Sequence, residues 1–117
     1  MMESLLAKMR EYLQMDTEID FAEFTAYYQQ LMDMMTANYD SMGKDDLCKA
    51  KFILMIVSTN SESRALRKGS AWKKYKKIKE KTSFWSEAIN YRLLKEGLTQ
   101  QEIDAELEKI SGEEKQA

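Results

Sequence analysis

The N-terminal third of the chain has apolar residues three and four positions apart, which is the spacing of amphipathic α-helices. Residues 3–14 predict a first helix, whose apolar face consists of Leu5, Leu6, Met9 and Leu13. A second helix is predicted to begin after Asp20, which can cap it, and Glu23 stands at the capping-box position. The apolar positions of this helix form a coiled-coil-like seam, made of Phe21, Phe24, Tyr28, Leu31 and Met35.

The middle of the chain contains a run, residues 52–57, that is apolar on every side. No other segment alternates with a period of two, so a strand here would have no partner for its backbone groups. We therefore predict a buried central helix over residues 45–60. The polar residues 58–61 predict either its end or a kink, and the sequence leaves 58–70 open between helix and loop.

Residues 70–96 return to the three-four spacing and predict one long helix, with a seam of Tyr75, Ile78, Thr82, Trp85, Ile89 and Arg92. Thr82 and Ser83 would also suit the start of a separate helix, because their hydroxyls compete for backbone hydrogen bonds. The lysines of this segment lie in its first half, and its second half is apolar and aromatic.

The predicted last helix begins with a second capping box, formed by Thr99 and Glu102. The chain has no proline, and its glycines at 43, 69, 97 and 112 fall where the periodic segments stop. The fold class predicted is all-α: a small bundle of about five helices with one buried central helix. We expect a single domain over residues 1–112 and a polar tail over 113–117.

The composition of the chain excludes several classes of function, and no motif indicates one. The chain has no histidine and one cysteine, Cys48, which rules out an intramolecular disulfide and the usual His-based nucleophile pairs. We therefore expect no enzyme activity, no cofactor and no metal. No apolar run reaches the roughly 20 residues of a membrane span, and no targeting segment is evident, so we expect a cytoplasmic protein.

Charge is distributed unevenly along the chain, although the net charge is only −2. Residues 64–81 have a net charge of +8, whereas residues 1–42 have −6 and residues 82–117 have −4. Oppositely charged elements attract, so part of the basic stretch is expected to be neutralised within the chain or by a second copy.

This basic stretch is the candidate binding site for nucleic acid or another anion, and its residues are Arg64, Arg67, Lys68, Trp72, Lys73, Lys74, Lys76, Lys77, Lys79 and Lys81. Outward-facing lysines neutralise phosphates, and Trp72 and Tyr75 offer rings on which bases can stack. The two arginines are suited to holding one phosphate or carboxylate through two hydrogen bonds. The alternative is a solvated helix face whose two aromatic residues belong to the core.

The favoured function is a small non-enzymatic protein that binds nucleic acid or another polyanion. The helical seams and the opposed charges also predict a homodimer.

The second possibility is a protein–protein adaptor or inhibitor, for example a mobile-element protein that blocks a host nucleic-acid enzyme. Its acidic face would imitate phosphates and would consist of Asp16, Glu18, Asp20, Glu23 and Asp33. The third is a Mg²⁺-dependent nucleotide hydrolase, whose metal ligands would come from Glu18, Asp20, Glu23, Glu102, Asp104, Glu106 and Glu108. We rank the hydrolase last, because these acids lie at predicted helix starts, where they favour the helix dipole.

Overall fold

Five α-helices make up the computed structural model, which describes the backbone of residues 1–116 and the side chains of residues 1–112. The helices are α1 (Glu3–Leu13), α2 (Phe21–Asn38), α3 (Lys44–Leu66), α4 (Trp72–Lys95) and α5 (Gln100–Gln116), with a short 3₁₀ helix at Tyr39–Ser41. No strand occurs within residues 1–116. The predicted all-α bundle is confirmed. No helix in this part of the chain is both long and apolar enough to cross a bilayer.

Helix α3 is the central element, as predicted: it packs along α4 and also contacts α1 and α5. Its residues Leu47, Ile53 and Leu54 are fully buried. The helix is longer than the predicted 45–60: of the segment 58–70 that the sequence left open, residues up to Leu66 belong to α3. Within the polar segment, the Ser61 hydroxyl donates to the carbonyl of Val57 at 2.7 Å, so the serine is satisfied without interrupting the helix.

Helix α4 is continuous through Thr82, whose hydroxyl donates to the Ile78 carbonyl at 2.8 Å. It ends at Lys95, and Gly97, two residues later, has a φ of +107° that suits glycine. The amide of Leu98 donates to the Leu93 carbonyl at 3.1 Å, and that of Gly97 to the Leu94 carbonyl at 3.1 Å. These two bonds form a Schellman motif, which turns the chain into α5.

The two predicted capping boxes differ in the structure. At α5 both halves form: the Glu102 amide donates to the Thr99 hydroxyl at 3.1 Å, and the Thr99 amide to the Glu102 carboxylate at 2.9 Å. At α2 only one half forms: the Glu23 amide donates to the Asp20 carboxylate at 2.9 Å. The Glu23 carboxylate instead accepts from the Tyr12 hydroxyl, which connects α2 to α1.

Glycine does not end every predicted segment. Helix α5 continues through Gly112 to Gln116, and Lys68, with a φ of 55°, closes α3 one residue before Gly69. Of the predicted tail 113–117, residue 117 and the side chains of 113–116 lie outside the described part of the chain.

Both coiled-coil-like seams are used for packing within the chain. In α2, Phe24, Leu31 and Met35 are buried, and in α4 Tyr75 and Ile89 are buried. Because their apolar faces already contact this chain's own core, the seams no longer support a homodimer. The homodimer stays a prediction that depends on the opposed charges alone.

Lys51 is the buried cation of the α3–α4 interface. Its side chain is 8% exposed, and Nζ donates to the hydroxyl of Ser86 at 3.0 Å and to the Ser86 carbonyl at 3.2 Å. No carboxylate of the described residues forms an ion pair with it, and burial lowers the pKa of its ammonium below the usual 10.5.

The lowered pKa of Lys51 predicts a specific pH dependence. The folded protein releases this proton at a lower pH than the unfolded chain, so the free energy of unfolding should rise as the pH increases from 7 toward 10.5. Urea unfolding of the wild type and Lys51→Met at pH 7 and pH 10 measures this, because the other titrating groups are the same in both proteins and their contributions cancel in the difference. Parallel pH profiles for the two proteins would refute it.

Candidate functional site

The candidate site lies mainly on the outward face of α4, opposite the side that packs on α3. Five lysines of α4 are exposed, and we call them the lysine face: Lys73, Lys74, Lys76, Lys77 and Lys81. Lys74 lies at the edge of this face, where its ammonium is 5.5 Å from the Phe21 ring of α2. No carboxylate within the described residues lies at ion-pair distance from any of them. Lys73, Lys77 and Lys81 follow one another at four-residue intervals, which gives a row about 12 Å long on a helix that rises 1.5 Å per residue.

The N-terminus of α4 adds to this positive charge. No side chain caps the helix, and its first turn contains no acid. Lys73 and Lys74 therefore lie at the positive end of the helix dipole, where basic residues are unfavourable for stability. Glu80 is the one acid in the sequence between Arg64 and Lys81, so the lysine face is strongly positive.

Other cations of the basic stretch are paired within the chain. The Arg67 guanidinium contacts both oxygens of Glu18, with Nη2 donating to Oε2 at 3.0 Å. This contact holds the pKa of the Glu18 carboxyl below its usual value. Lys79 pairs with Glu62 of α3 at 3.0 Å. Glu18 also lies 3.9 Å from Nη2 of Arg64. The expected neutralisation within the chain is therefore partial, because it affects Arg64, Arg67 and Lys79 and leaves the lysine face unpaired.

Arg64 lies in the core and does not reach the lysine face. Its side chain is 7% exposed, Nη1 donates to the Tyr75 hydroxyl at 3.0 Å, and Nη2 donates to the Ile19 carbonyl at 2.7 Å. The guanidinium also stacks on the Phe24 ring, with its central carbon 4.3 Å from the ring centroid. Arg64 thus joins α3 to α2, to α4 and to the loop before α2.

The two aromatic residues of the predicted site have different environments. Tyr75 is buried and makes edge-to-face contacts with Phe21 and Phe24, at centroid distances of 5.5 Å and 5.4 Å. Trp72 is half-buried at the start of α4, and the ammonium groups of Lys68 and Lys73 lie 5.8 Å and 5.7 Å from its ring. Only Trp72 is placed to meet a ligand at the surface.

Sequence reasoning missed an exposed apolar group farther along the same face of α4. Phe84 is 64% exposed, Tyr91 63% and Leu94 41%. Phe84 lies seven residues after Lys77, and Tyr91 seven after Phe84, so helical spacing places them in one row. The sequence contains this spacing. Because the second half of α4 is apolar in general, the sequence did not show that these residues are exposed and not buried.

Most acids of the alternative sites have structural partners. Glu18 pairs with Arg67, Asp20 caps α2, Glu23 accepts from Tyr12, and Glu102 completes the α5 capping box. Asp33 accepts from Gln29 at 2.9 Å. Among the residues whose side chains are described, no three acidic or cysteine side chains are grouped so that they could hold a metal ion.

Together the helices and the lysine face define a small α-helical bundle protein with one basic surface. No family model matches the chain, and neither the curated proteins nor the solved structures include a significant match.

Proposed function

We propose that this chain is a non-enzymatic binding protein whose lysine face contacts a nucleic acid strand or another polyanion. The observation that carries the proposal is the exposure of five lysines without ion-pair partners among the described residues, in a chain whose residues 1–42 and 82–117 are acidic. Nearby acids neutralise Arg67 and Lys79 but not these lysines. Binding would release the counterions condensed on the polyanion, which favours association.

Aromatic side chains at both ends of the lysine face favour a single-stranded nucleic acid among the polyanions. Trp72 lies beside Lys73, and Phe84 follows Lys81 on the outward side of α4. Proteins that bind single strands combine a basic track for the backbone with rings on which bases stack. Lys68 belongs with the Trp72 end, because its ammonium lies over the same ring.

Arg64 and Arg67 have different roles in the proposed binding. Arg67 is at the surface, but it must exchange the Glu18 carboxylate for a phosphate before it can bind one. Arg64 contributes by holding Tyr75, and therefore the first turns of α4, against the core.

A salt titration tests the proposal. Binding to single- and double-stranded DNA and RNA oligonucleotides is measured by fluorescence anisotropy between 50 and 300 mM salt. If four lysines each neutralise one phosphate, the logarithm of the association constant should fall with the logarithm of salt with a slope of roughly −3 for single strands and about −4 for duplex DNA. No binding at 50 mM salt, or affinity that does not change with salt, would contradict it.

A protein–protein adaptor is the second candidate, and the exposed Phe84, Tyr91 and Leu94 favour it, because exposed aromatic and aliphatic groups are common at interfaces. Imitation of phosphates by the acidic residues has less support, since Glu18, Asp20 and Glu23 already have partners within the chain. Capture of one large partner that survives nuclease treatment, and is lost in Phe84→Ser with Tyr91→Ser, would favour the adaptor.

A further inference from the structure

The outward face of α4 becomes apolar after its lysines. Phe84 and Tyr91 are each more than three-fifths exposed there, and Leu94 is exposed beside them. These three side chains together expose roughly 300 Å² of mainly apolar surface. A contiguous apolar patch of this size on a folded domain often marks an interaction surface. The structure therefore presents a second surface on α4, next to the lysine face.

Charged residues flank this patch unequally on its two sides. The middle of the face is a row at seven-residue intervals, which we call the outer row: Lys77, Phe84 and Tyr91. Residues three positions after a member of the row lie on one flank of it, and residues four positions after lie on the other. The exposed acids Glu80 and Glu87 share the first flank, and the exposed lysines Lys81 and Lys95 share the second. Within the part of the chain whose side chains are described, neither acid forms an ion pair.

This inequality determines which way two copies can pair through the outer row. In a parallel pair, whose two-fold axis runs along α4, the acidic flank of one copy lies against the basic flank of the other. Glu80 of one copy then lies between the heights of Lys77 and Lys81 of the second copy. In an antiparallel pair each flank meets its own counterpart, which places acids against acids. Charge complementarity therefore favours the parallel pair.

The rest of the fold allows this contact and limits its length. Because α4 packs on α3 with its other side, the two bundles lie on opposite sides of the contact. Lys73 and Lys76, nearer the start of α4, would repel the same residues of the second copy. The contact is therefore expected to extend from Glu80 to Leu94.

We propose that a second copy of this chain covers the outer row in a parallel pair, with Phe84 and Tyr91 packed on the same rings of the second copy. Glu80 pairs with Lys81 across each side of the contact. The patch is smaller than the roughly 800 Å² that each partner buries in a standard interface, so the dimer should be weak, with a Kd of about 10 to 100 µM.

This dimer does not depend on the function proposed for the lysine face. Phe84 and Lys81 belong to both surfaces, so a bound strand and a second copy should compete for α4. Measurements of self-association without nucleic acid therefore test the dimer separately from strand binding.

Sedimentation velocity of the full chain, from about 5 to 500 µM, tests the proposal. The wild type should change from monomer to dimer over this range. Phe84→Ser with Tyr91→Ser should weaken the dimer at least about tenfold. Met55→Ser with Leu66→Ser is the matched control, because both residues are exposed apolar residues of α3; it should dimerise like the wild type.

Charge reversal on the flanks tests the orientation of the pair. Glu80→Lys should weaken the dimer about fivefold, and adding Lys81→Glu should restore most of the affinity, because the two flanks then exchange charge. In an antiparallel pair Glu80→Lys would strengthen the dimer, since it removes repulsion between acids. The proposal is overturned if the chain stays monomeric at the highest concentration, if the double serine variant of α4 dimerises like the wild type, or if Glu80→Lys does not weaken the dimer.

Discussion

Replacing Arg64 with methionine should lower the free energy of unfolding by about 3 kcal/mol. The substitution removes the hydrogen bonds to the Tyr75 hydroxyl and the Ile19 carbonyl and leaves both oxygens without that donor. It also removes the stacking of the guanidinium on Phe24. Because loss of a buried partner costs the desolvation of the groups left behind, the effect should exceed that of a typical surface change. Urea unfolding measures it.

Arg67→Met is the matched control for this substitution. Both arginines lie near Glu18, but the side chain of Arg67 is 55% exposed whereas that of Arg64 is 7% exposed. Water can replace the lost contact at Arg67, so this variant should leave the free energy of unfolding nearly unchanged. Equal losses of stability in the two variants would show that the buried contacts of Arg64 do not have the role inferred here.

Reversing the charge of Lys73, Lys76 and Lys77 to glutamate should lower the affinity for single-stranded DNA at least about a hundredfold at 50 mM salt. Each reversal removes a contact with a phosphate and introduces repulsion. The salt slope should also become shallower by about one unit for each contact that is lost. All three lysines are exposed, and within the described residues none makes an ion pair, so the fold should be retained.

The matched control reverses Lys44, Lys95 and Lys109, which are also exposed and lie outside the lysine face. It changes the net charge of the chain by the same amount. If binding depends on the lysine face, this control should retain most of the affinity of the wild type. A loss equal to that of the first variant would mean that net charge alone governs the binding.

The sequence predicted the helices and much of the lysine face, because both follow from local periodicity. Tyr75, Ile78 and Thr82 have the spacing of a buried stripe, and all three are buried in α4. Helical geometry then requires Lys73 and Lys77 to face away from the core, as they do. The central helix α3 was predicted differently, from a run that is apolar on every side and has no strand partner, and the polar residues after that run left its end open.

Contacts between distant residues were beyond sequence reasoning. Counting charges treated Arg64 and Arg67 as equivalent members of one basic stretch. Folding buries the first and pairs the second with Glu18, which lies 49 residues away in the chain. The half-formed capping box of α2 has the same origin, since local sequence does not reveal that Tyr12 binds Glu23.

NMR mapping can locate the surface of this chain that binds a nucleic acid, which we propose to be the outward face of α4. ¹⁵N-labelled protein is titrated with a short single-stranded oligonucleotide, and amide and lysine ammonium signals are followed. We expect the largest shifts on Lys73 to Lys81 and on Trp72 and Phe84. Shifts concentrated on α1, α2 or α5, with the lysine face unaffected, would contradict it.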